Sequence, residues 1–421
     1  HHWGEPEDGY YLPDDDYIIR KHCRELVNAG VDVIVFDVTN GFRYTSIYLK
    51  LCEVYRSLRA LGERTPQVCF LTHTSSVQVV QQLYDEFYAP NLYPELWFRW
   101  KGKPLILADL SGHSQTIQDF FTLRYSWAWD SGALKWSWID NYPQQAGYET
   151  AGTPEWIPVA TAQHPVSNIG RSFHDGAEPA PADRRTAEGL CFAEQWRRAL
   201  EVDPSIVFVT GWNEWVAQRF INDGTQPFLG TVPPAGSTFF VDQYNQEFSR
   251  DVEPMKGGHG DAYYYQMAAN IRRYKGVRPL EKAADFRTVP IDGEFADWAD
   301  VGPEFRDHVG DPVQRNHPGW GAAGPYVNTS GRNDLKRMKV ALDLENAYFY
   351  AQCATDLTPS SDPAWMMLFI DADEDAATGW EGYDLVVNRV APVGNETVVE
   401  ENTGGWRWRE VDRVPYRAAG F

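Results

Sequence analysis

The first two thirds of the chain alternate between two hydrophobic patterns. Short, nearly continuous apolar runs predict buried parallel strands, beginning with residues 31–37 and 67–73. Between the runs, apolar residues recur at three- and four-residue spacing, which predicts amphipathic helices. Further strands are predicted over residues 104–109, 121–129, 156–161, 205–210 and 238–242, and helices over 14–28, 45–61, 76–88, 184–200 and 261–275.

Strands that alternate with helices over about 275 residues indicate a parallel sheet, and that length suits a (β/α)₈ TIM barrel. Seven strands are predicted and no strand precedes the first helix, so we expect the first barrel strand to lie upstream of His1. The alternative is a doubly wound open sheet. No Gly-x-Gly-x-x-Gly follows a strand and no phosphate-binding Gly-Lys-Ser/Thr loop occurs, which argues against nucleotide chemistry.

The pattern changes after Gly276. Residues 277–290, with Pro279 and Pro290, are predicted to be a linker. From Ile291 onward, short alternating strands are separated by turns rich in Asp, Gly and Asn, which predicts an all-β sandwich. The expected domains are therefore a barrel over 1–276, a linker over 277–290 and a β-sandwich over 291–421.

Composition narrows the possible partners. A formal net charge of −21 argues against a nucleic-acid partner, and no apolar run approaches the ~20 residues needed to span a bilayer. The 17 Trp, 22 Tyr and 21 Phe can fill a core or stack on hydroxylated ligands. The five Cys occur singly inside predicted elements and are expected to be buried free thiols, so they give no disulfide argument for secretion.

The apolar run 205–210 ends abruptly in Gly211-Trp212-Asn213-Glu214-Trp215. At the carboxyl end of a barrel strand, such an acid would lie at the floor of a cleft with aromatic walls. A sugar-processing enzyme uses both features. The alternative is a structural glutamate that caps a helix or pairs with an arginine.

Other acids follow the same arrangement. Asp37, Asp109 and Asp242 lie at predicted strand ends, and Glu247 lies in the loop after the last strand. Glycoside hydrolysis needs two carboxyl groups that face the scissile bond. We therefore predict Glu214 as the central catalytic acid with Glu247 or Asp37 as its partner, no cofactor for catalysis, and substrate-binding roles for Trp212, Asn213, Trp215, Asp109, Asp242, Arg250 and His259. A zinc hydrolase is disfavoured because the histidines lack His-x-x-x-His or His-Glu-x-x-His spacing.

The Gly211–Trp215 element, with Gly102-Lys-Pro-Leu-Ile-Leu107 upstream, resembles the barrels of glycoside hydrolase families 71 and 99. In the endo-α-mannosidase members, the glutamate matching Glu214 is catalytic, and a second glutamate stands three residues later. That second position is Ala217 in this chain. The paired-glutamate mechanism therefore does not transfer whole, and the partner acid must come from another strand. The resemblance implies a glycan or polysaccharide substrate and an extracellular or periplasmic location.

The second part of the chain resembles family 9 carbohydrate-binding modules. The resemblance rests on residues 291–298, 369–375 and 378–380, and the final strands of such a module are expected beyond Phe421. Asp371, Asp373 and Asp375 alternate on one predicted turn, so their oxygens can converge on a structural Ca²⁺. The alternative is a solvated acidic loop.

The leading hypothesis is a glycoside hydrolase with an appended β-sandwich. Two alternatives stay open. One is a non-catalytic glycan-binding protein whose barrel lacks the second acid at Ala217. The other is a structural or partner-binding barrel in which the surplus tryptophans fill the core.

Overall fold

The structure is a computed structural model that describes residues 3–164, 168–215, 220–225, 232–239 and 245–420. The chain divides into two compact units. The first unit comprises His1–Val277 and Asn316–Tyr326, and the second comprises Arg278–Arg315 and Val327–Phe421.

These boundaries differ from the predicted ones in two places. The predicted linker 277–290 belongs almost entirely to the second unit, where Val289 is buried against Trp298 and the Arg287 N–H donates to the Leu342 carbonyl at 2.8 Å. Segment Asn316–Tyr326 belongs to the first unit, because the Trp320 N–H donates to the Tyr10 carbonyl at 2.6 Å. Residues 277–290 were predicted to be a linker because of Pro279 and Pro290, but the backbone N–H of Arg287 in this segment is hydrogen-bonded to the second unit.

The helices and strands of the first unit follow the predicted alternation. Helix α1 begins and ends at residues that favour helix termini. The Asp15 side chain accepts from the Tyr17 N–H at the start of the helix, and Gly30 ends the helix in the left-handed conformation at φ 93°. The elements are α1 (Asp16–Ala29), β1 (Val33–Val38), α2 (Thr45–Ala60), β2 (Gln67–Thr72), α3 (Ser76–Leu83), a π-turn (Tyr84–Tyr88), β3 (Arg99–Trp100), β4 (Lys103–Leu107), α4 (Gln115–Phe120), β5 (Thr122–Arg124), β6 (Trp156–Ala160), α5 (Leu190–Val202), β7 (Ile206–Thr210), β8 (Phe220–Ile221), β9 (Thr238–Phe239) and α6 (Ala262–Lys275).

Two parallel sheets form the first unit. Strands β1, β2, β4 and β5 pair in that order, all parallel, with Asp37 beside Leu71 and Leu71 beside Leu107. Strands β6 and β7 form a separate parallel pair, and the short β3 adds antiparallel to β4. The parallel sheet predicted from the alternating pattern is thus confirmed.

The two sheets share one core. Alternate side chains from both sheets contact each other in a single apolar cluster that contains Val33, Val35, Cys69, Leu71, Leu105, Leu107, Trp156, Ile206 and Phe208. The intervening side chains contact the helices instead, Phe36 and Phe70 in one cluster and Val159 and Val209 in another. This inside–outside alternation is typical of a barrel wall with an outer layer of helices.

A closed eight-stranded barrel is not established. Within the described ranges, no ladder joins β1 to β7 or β5 to β6. The strand predicted over 121–129 is only β5, and Trp129 has a positive φ of 58° that interrupts an extended backbone. The described part of the strand predicted over 238–242 is β9, which pairs antiparallel with β8 and so forms a hairpin rather than a parallel barrel strand.

The second unit is built on antiparallel sheets. Its strands are β10 (Glu304–Arg306), β13 (Leu335–Leu342), β14 (Ala347–Cys353), β15 (Leu368–Ile370), β16 (Leu385–Val387), β17 (Glu396–Asn402) and β18 (Trp408–Pro415). A three-stranded sheet has the order β10–β13–β14, and a four-stranded sheet has the order β15–β16–β17–β18. A separate hairpin pairs β11 (Arg315–Pro318) with β12 (Pro325–Asn328), and residues 316–326 of this hairpin belong to the first unit.

All five cysteines are free thiols, as predicted, although Cys353 is only half-buried. No helix in the described part of the chain is both long enough and apolar enough to cross a membrane.

Candidate active site

The turn after β7 is held by a second segment, residues 249–253. Gly211 has a φ of 82°, and a Cβ atom on it would lie 2.2 Å from the Arg250 carbonyl oxygen. Only glycine allows this close approach. The Glu253 N–H donates to the Trp212 carbonyl at 2.9 Å, which ties the two segments together beyond the glycine.

Glu214 combines an exposed side chain with a fixed backbone. Its N–H donates to Oδ1 of Asp251 at 2.8 Å, and its carbonyl accepts from Nε1 of Trp3 at 3.1 Å. Asp251 has no solvent exposure, whereas the Glu214 residue is exposed. Glu214 is therefore an exposed residue on a turn whose main-chain groups are bound on both sides.

Beneath Glu214, the buried carboxyl of Asp251 lies close to the buried guanidinium of Arg171. Burial raises the pKa of Asp251 to about 6, although the Glu214 N–H and the Arg171 cation oppose this. Arg171 is also fully buried and donates to the carbonyls of Ser249 and Asp251, each at 2.6 Å. Its guanidinium lies 4.2 Å from the centroid of the Tyr263 ring. The cation thus fixes the segment that holds Glu214.

Asn213 is bonded into a buried network on the other side of the turn. Its Nδ2 donates to the Tyr11 hydroxyl at 3.0 Å, and that hydroxyl donates to Oε2 of Glu253 at 2.7 Å. His22 Nε2 lies 2.7 Å from the other oxygen of Glu253, and Trp215 Nε1 donates to Oε2. Burial alone would lower the pKa of His22, but the Glu253 carboxylate more than offsets this and raises it. Burial, followed by the Glu253 charge, raises the pKa of Tyr11.

The two tryptophans of the element differ in exposure. Trp215 is only 3% exposed and stacks on Trp3 with ring centroids 4.5 Å apart. Trp212 is half-buried and makes edge contacts with His22 and Tyr264. The expectation that Trp215 forms part of a sugar-binding floor is corrected, because Trp3 covers its ring, whereas the substrate-binding role of Trp212 stays a prediction.

Glu247 is a structural acid in this structure. It is 5% exposed, and its carboxylate accepts from the Ser172 N–H at 2.9 Å, the Ser172 hydroxyl at 2.8 Å and the Thr186 hydroxyl at 2.8 Å. These bonds fix the loop around residue 172. The expected partnership with Glu214 is therefore not formed by contact, because the carboxylate is already bound by three donors.

Asp37 and Asp109 lie at the carboxyl ends of their strands, as predicted. Asp37 follows Val33 and Val35 at two-residue spacing, and these two residues pack in the core shared by the sheets. The Asp37 residue is exposed, and its Oδ1 accepts from the Thr39 N–H at 2.8 Å. Asp109 is half-buried and lines a groove of about 690 Å³ with polar neighbours. The other lining residues include His73, Ser75, Gln78, Gln82 and His113.

The remaining predicted ligands are buried or lie outside the described residues. His259 is 4% exposed beside Trp3 and Tyr263, and burial, helped by Arg171, lowers its pKa to about 3. Arg250 is 6% exposed and donates to Oδ1 of Asn168 at 3.2 Å. Both are thus placed in the interior rather than at a cleft. Asp242 and Ala217 lie outside the described residues.

Several residues of the site were not found from the sequence. Tyr11, His22 and Asp251 had no spacing signal, and Glu253 was only one acid among several near the last strand. Another unexpected feature is the stack of His73 on Trp127, with ring centroids 3.5 Å apart, at the edge of the groove. Trp127 in turn meets Trp138, whose carbonyl accepts from the Thr210 hydroxyl at the end of β7.

The second unit contains a group of acids and a group of aromatic rings. Carboxylate oxygens of Asp371, Asp373 and Asp384 all lie within 4.8 Å of one another, and the Thr378 hydroxyl lies within hydrogen-bond distance of both Asp373 and Asp384. This converging group contains Asp384 and not Asp375, whose Oδ1 accepts from the Ala377 N–H, and a cation site in this loop stays a prediction. Close by in sequence, Phe369 contacts the rings of Trp380, Tyr383, Trp406 and Trp408.

Comparisons with known proteins find distant likenesses only. No family model matches the chain, and no curated protein matches it. Among solved structures, the GH99 endo-α-mannosidase from Bacteroides thetaiotaomicron in complex with Bis-Tris propane is 16% identical over 65% of this chain and 88% of the other, with a TM-score of 0.41. Another structure of the GH99 endo-α-mannosidase from this organism is 17% identical over 66% of this chain and 85% of the other, with a TM-score of 0.37.

Proposed function

We propose that the chain is a glycoside hydrolase that acts on a glycan or polysaccharide with Glu214 as its central carboxylate. The observation that carries the proposal is the contrast within Glu214 itself: its side chain is exposed while its N–H and carbonyl are both bound. A catalytic acid or base works best when it is held in one position at the edge of a cleft. A helix cap or a buried ion pair needs no such exposure.

The second carboxyl group is proposed to be Asp37 rather than Glu247. Asp37 is exposed at the carboxyl end of β1, and the one hydrogen bond to its Oδ1 leaves Oδ2 for chemistry. Glu247 is buried and accepts from three donors, so moving it toward a substrate would break its bonds to Ser172 and Thr186. Asp109 is the next alternative because it lines the polar groove.

In this mechanism, one carboxyl group protonates the leaving oxygen and the other attacks or activates water. Carboxylate chemistry of this kind needs no cofactor, and hydroxyl and amide side chains in the groove suit a hydroxyl-rich substrate. We further propose an extracellular or periplasmic location, where polysaccharides are met. A structural Ca²⁺ in the second unit is proposed at Asp371, Asp373 and Asp384.

The test is hydrolysis of a polysaccharide panel by the full chain, measured as new reducing ends together with binding. Glu214→Gln should lower turnover by about 10²–10⁴-fold, the range for removing a general acid or base, and leave binding intact. Asp37→Asn should behave likewise. The control is Glu201→Gln, an exposed acid on α5 that should change nothing. Unchanged turnover in Glu214→Gln would refute the proposal.

A second candidate function is glycan binding without hydrolysis. It is favoured by the alanine at position 217 and by the full commitment of Glu247 to structural bonds. It predicts binding to a panel member with no new reducing ends in either the parent or the Glu214→Gln variant. The same experiment therefore separates the two functions.

A further inference from the structure

A chain of hydrogen bonds connects His22 to the side chain of Asn213, the residue before Glu214. The centre of this chain is Glu253, which is 3% exposed and has a neighbouring hydrogen-bond donor at each of its two carboxylate oxygens. His22 faces Oε1, and Tyr11 and Trp215 donate to Oε2. An ionised carboxylate only accepts hydrogen bonds, so every neighbour in this group has to act as a donor.

This requirement fixes the orientation of Tyr11. A phenol has a single O–H, and Tyr11 gives it to Glu253 at 2.7 Å. Toward Asn213, 3.0 Å away, the Tyr11 oxygen can then only accept. The part of the Asn213 amide that faces Tyr11 must therefore be the NH₂ group, since the flipped amide would place two acceptors against each other.

We infer that Asn213 presents the carbonyl oxygen of its side chain to the solvent-exposed surface beside Glu214, and that Tyr11 and Glu253 are the positioning residues that set this orientation. Asn213 is exposed, and among the described residues nothing donates to its Oδ1. The inference rests on the proposed function in one respect, since it takes the group that meets Asn213 to be a sugar hydroxyl.

The orientation determines what Asn213 recognises. A fixed acceptor favours a ligand group that can donate, which in a glycan is a hydroxyl. A carboxylate or a sulfate ester offers only acceptors and would be repelled, as it would by the adjacent Glu214. At this position the site therefore favours a sugar hydroxyl over a carboxylate or sulfate group. Loss of one such bond weakens affinity by about three- to tenfold, since one hydrogen bond contributes roughly 0.5–1.5 kcal/mol.

The first arm of the test needs no ligand. The side-chain NH₂ signals of Asn213 are recorded by NMR on the full deuterated chain and assigned by their loss in Asn213→Ala. One of the two protons should exchange slowly with solvent, and Tyr11→Phe should abolish this protection. The matched control is Tyr264→Phe, which removes a tyrosyl bond of 2.8 Å to the Glu25 carbonyl without touching the network. Protection that survives Tyr11→Phe would overturn the inference.

The second arm measures affinity in the Glu214→Gln background, with neutral manno-, gluco-, xylo- and galacto-oligosaccharides and an oligogalacturonate as probes. Tyr11→Phe and Asn213→Ala should each weaken binding of the neutral probe about three- to tenfold, and the double variant should lose no more than either single one. Additive losses, or binding of the acidic probe alone, would contradict the inference. If the losses in binding are non-additive but the parent hydrolyses no probe, the proposed function is refuted and the inference about Asn213 stands. If the parent hydrolyses a probe but the losses in binding are additive, the inference is refuted and the proposed function stands.

Discussion

Arg124 and Glu155 form a two-pronged ion pair inside the first unit. The guanidinium Nε lies 3.0 Å from Oε2 and the terminal nitrogen 3.1 Å from Oε1, and both residues are less than 5% exposed. Arg124 ends β5 in one parallel sheet, and Glu155 directly precedes β6 in the other. The pair therefore connects the two sheets where no backbone ladder joins them in the described residues. Arg124 lowers the pKa of Glu155 against the opposing effect of burial.

Breaking this pair should destabilise the first unit strongly. Arg124→Ala leaves the buried Glu155 carboxylate with the Trp136 indole N–H and the half-exposed Lys101 as its remaining partners, and removing one partner of a buried pair costs about 3–5 kcal/mol. The measurement is urea denaturation followed by tryptophan fluorescence. The matched control is Arg413→Ala, which breaks a half-exposed pair with Glu410 and should cost less than about 1 kcal/mol. Equal losses in the two variants would mean that the buried pair does not join the sheets.

Gly211 should tolerate no side chain. In Gly211→Ala the new methyl meets the Arg250 carbonyl at 2.2 Å, so the turn that carries Glu214 must separate from segment 249–253. The control is Gly62→Ala, which has nearly the same φ, 86°, but nothing within 4 Å of the new Cβ. Gly62→Ala should lower the free energy of unfolding by only the ~1 kcal/mol typical of an alanine in the left-handed conformation. Gly211→Ala should lower it clearly more and should also reduce turnover. Similar losses in stability for both would show that backbone strain alone decides the effect.

Three of the parallel strands, β2, β4 and β6, could be predicted from sequence because they are buried on both faces. Runs such as Gln67–Thr72 and Trp156–Ala160 have almost no polar positions, which is the pattern of a covered parallel strand. Strands β17 and β18 were not predicted, because β18 is mostly exposed and both are rich in charged residues. Their pairing places Glu401 opposite Arg409, a contact that only the fold creates.

The surroundings of Glu214 could not be predicted. Glu253 is 231 residues from His22 and 242 residues from Tyr11 along the chain, so no local spacing connects them. The sequence also does not distinguish an acid that is already bound, such as Glu247, from one that is exposed, such as Asp37. Hydrogen-bond donors from residues 172 and 186 decide that difference.

The choice between Asp384 and Asp375 can be tested by calcium titration. If the proposed Ca²⁺ site is real, millimolar Ca²⁺ should raise the melting temperature of the second unit, because an ion that binds only the folded state stabilises it by mass action. Asp384→Asn and Asp373→Asn should abolish that rise, since both acids belong to the converging group. Asp375→Asn is the matched control and should keep it. A rise that depends on Asp375 but not Asp384 would restore the ligand set predicted from sequence, and no rise in the parent would remove the site.

His259 should make the first unit sensitive to acid. Its pKa is lowered to about 3 by burial and by Arg171, so the folded state keeps the ring neutral while the unfolded state binds a proton below its usual value near 6.5. Stability from this group is thus fully present above pH 6.5 and is lost as the pH falls toward 3. His259→Phe removes the titration while keeping the ring contacts with Trp3 and Tyr263. At pH 7.5 the variant should be as stable as the parent or more stable.

Between pH 7.5 and 5 the free energy of unfolding of the parent should fall by about 2 kcal/mol more than that of the variant, at 1.36 kcal/mol for each pH unit below 6.5. Other titrating groups are common to both proteins, so the difference between their urea-denaturation curves isolates His259, and parallel pH profiles would show that this ring is not held neutral.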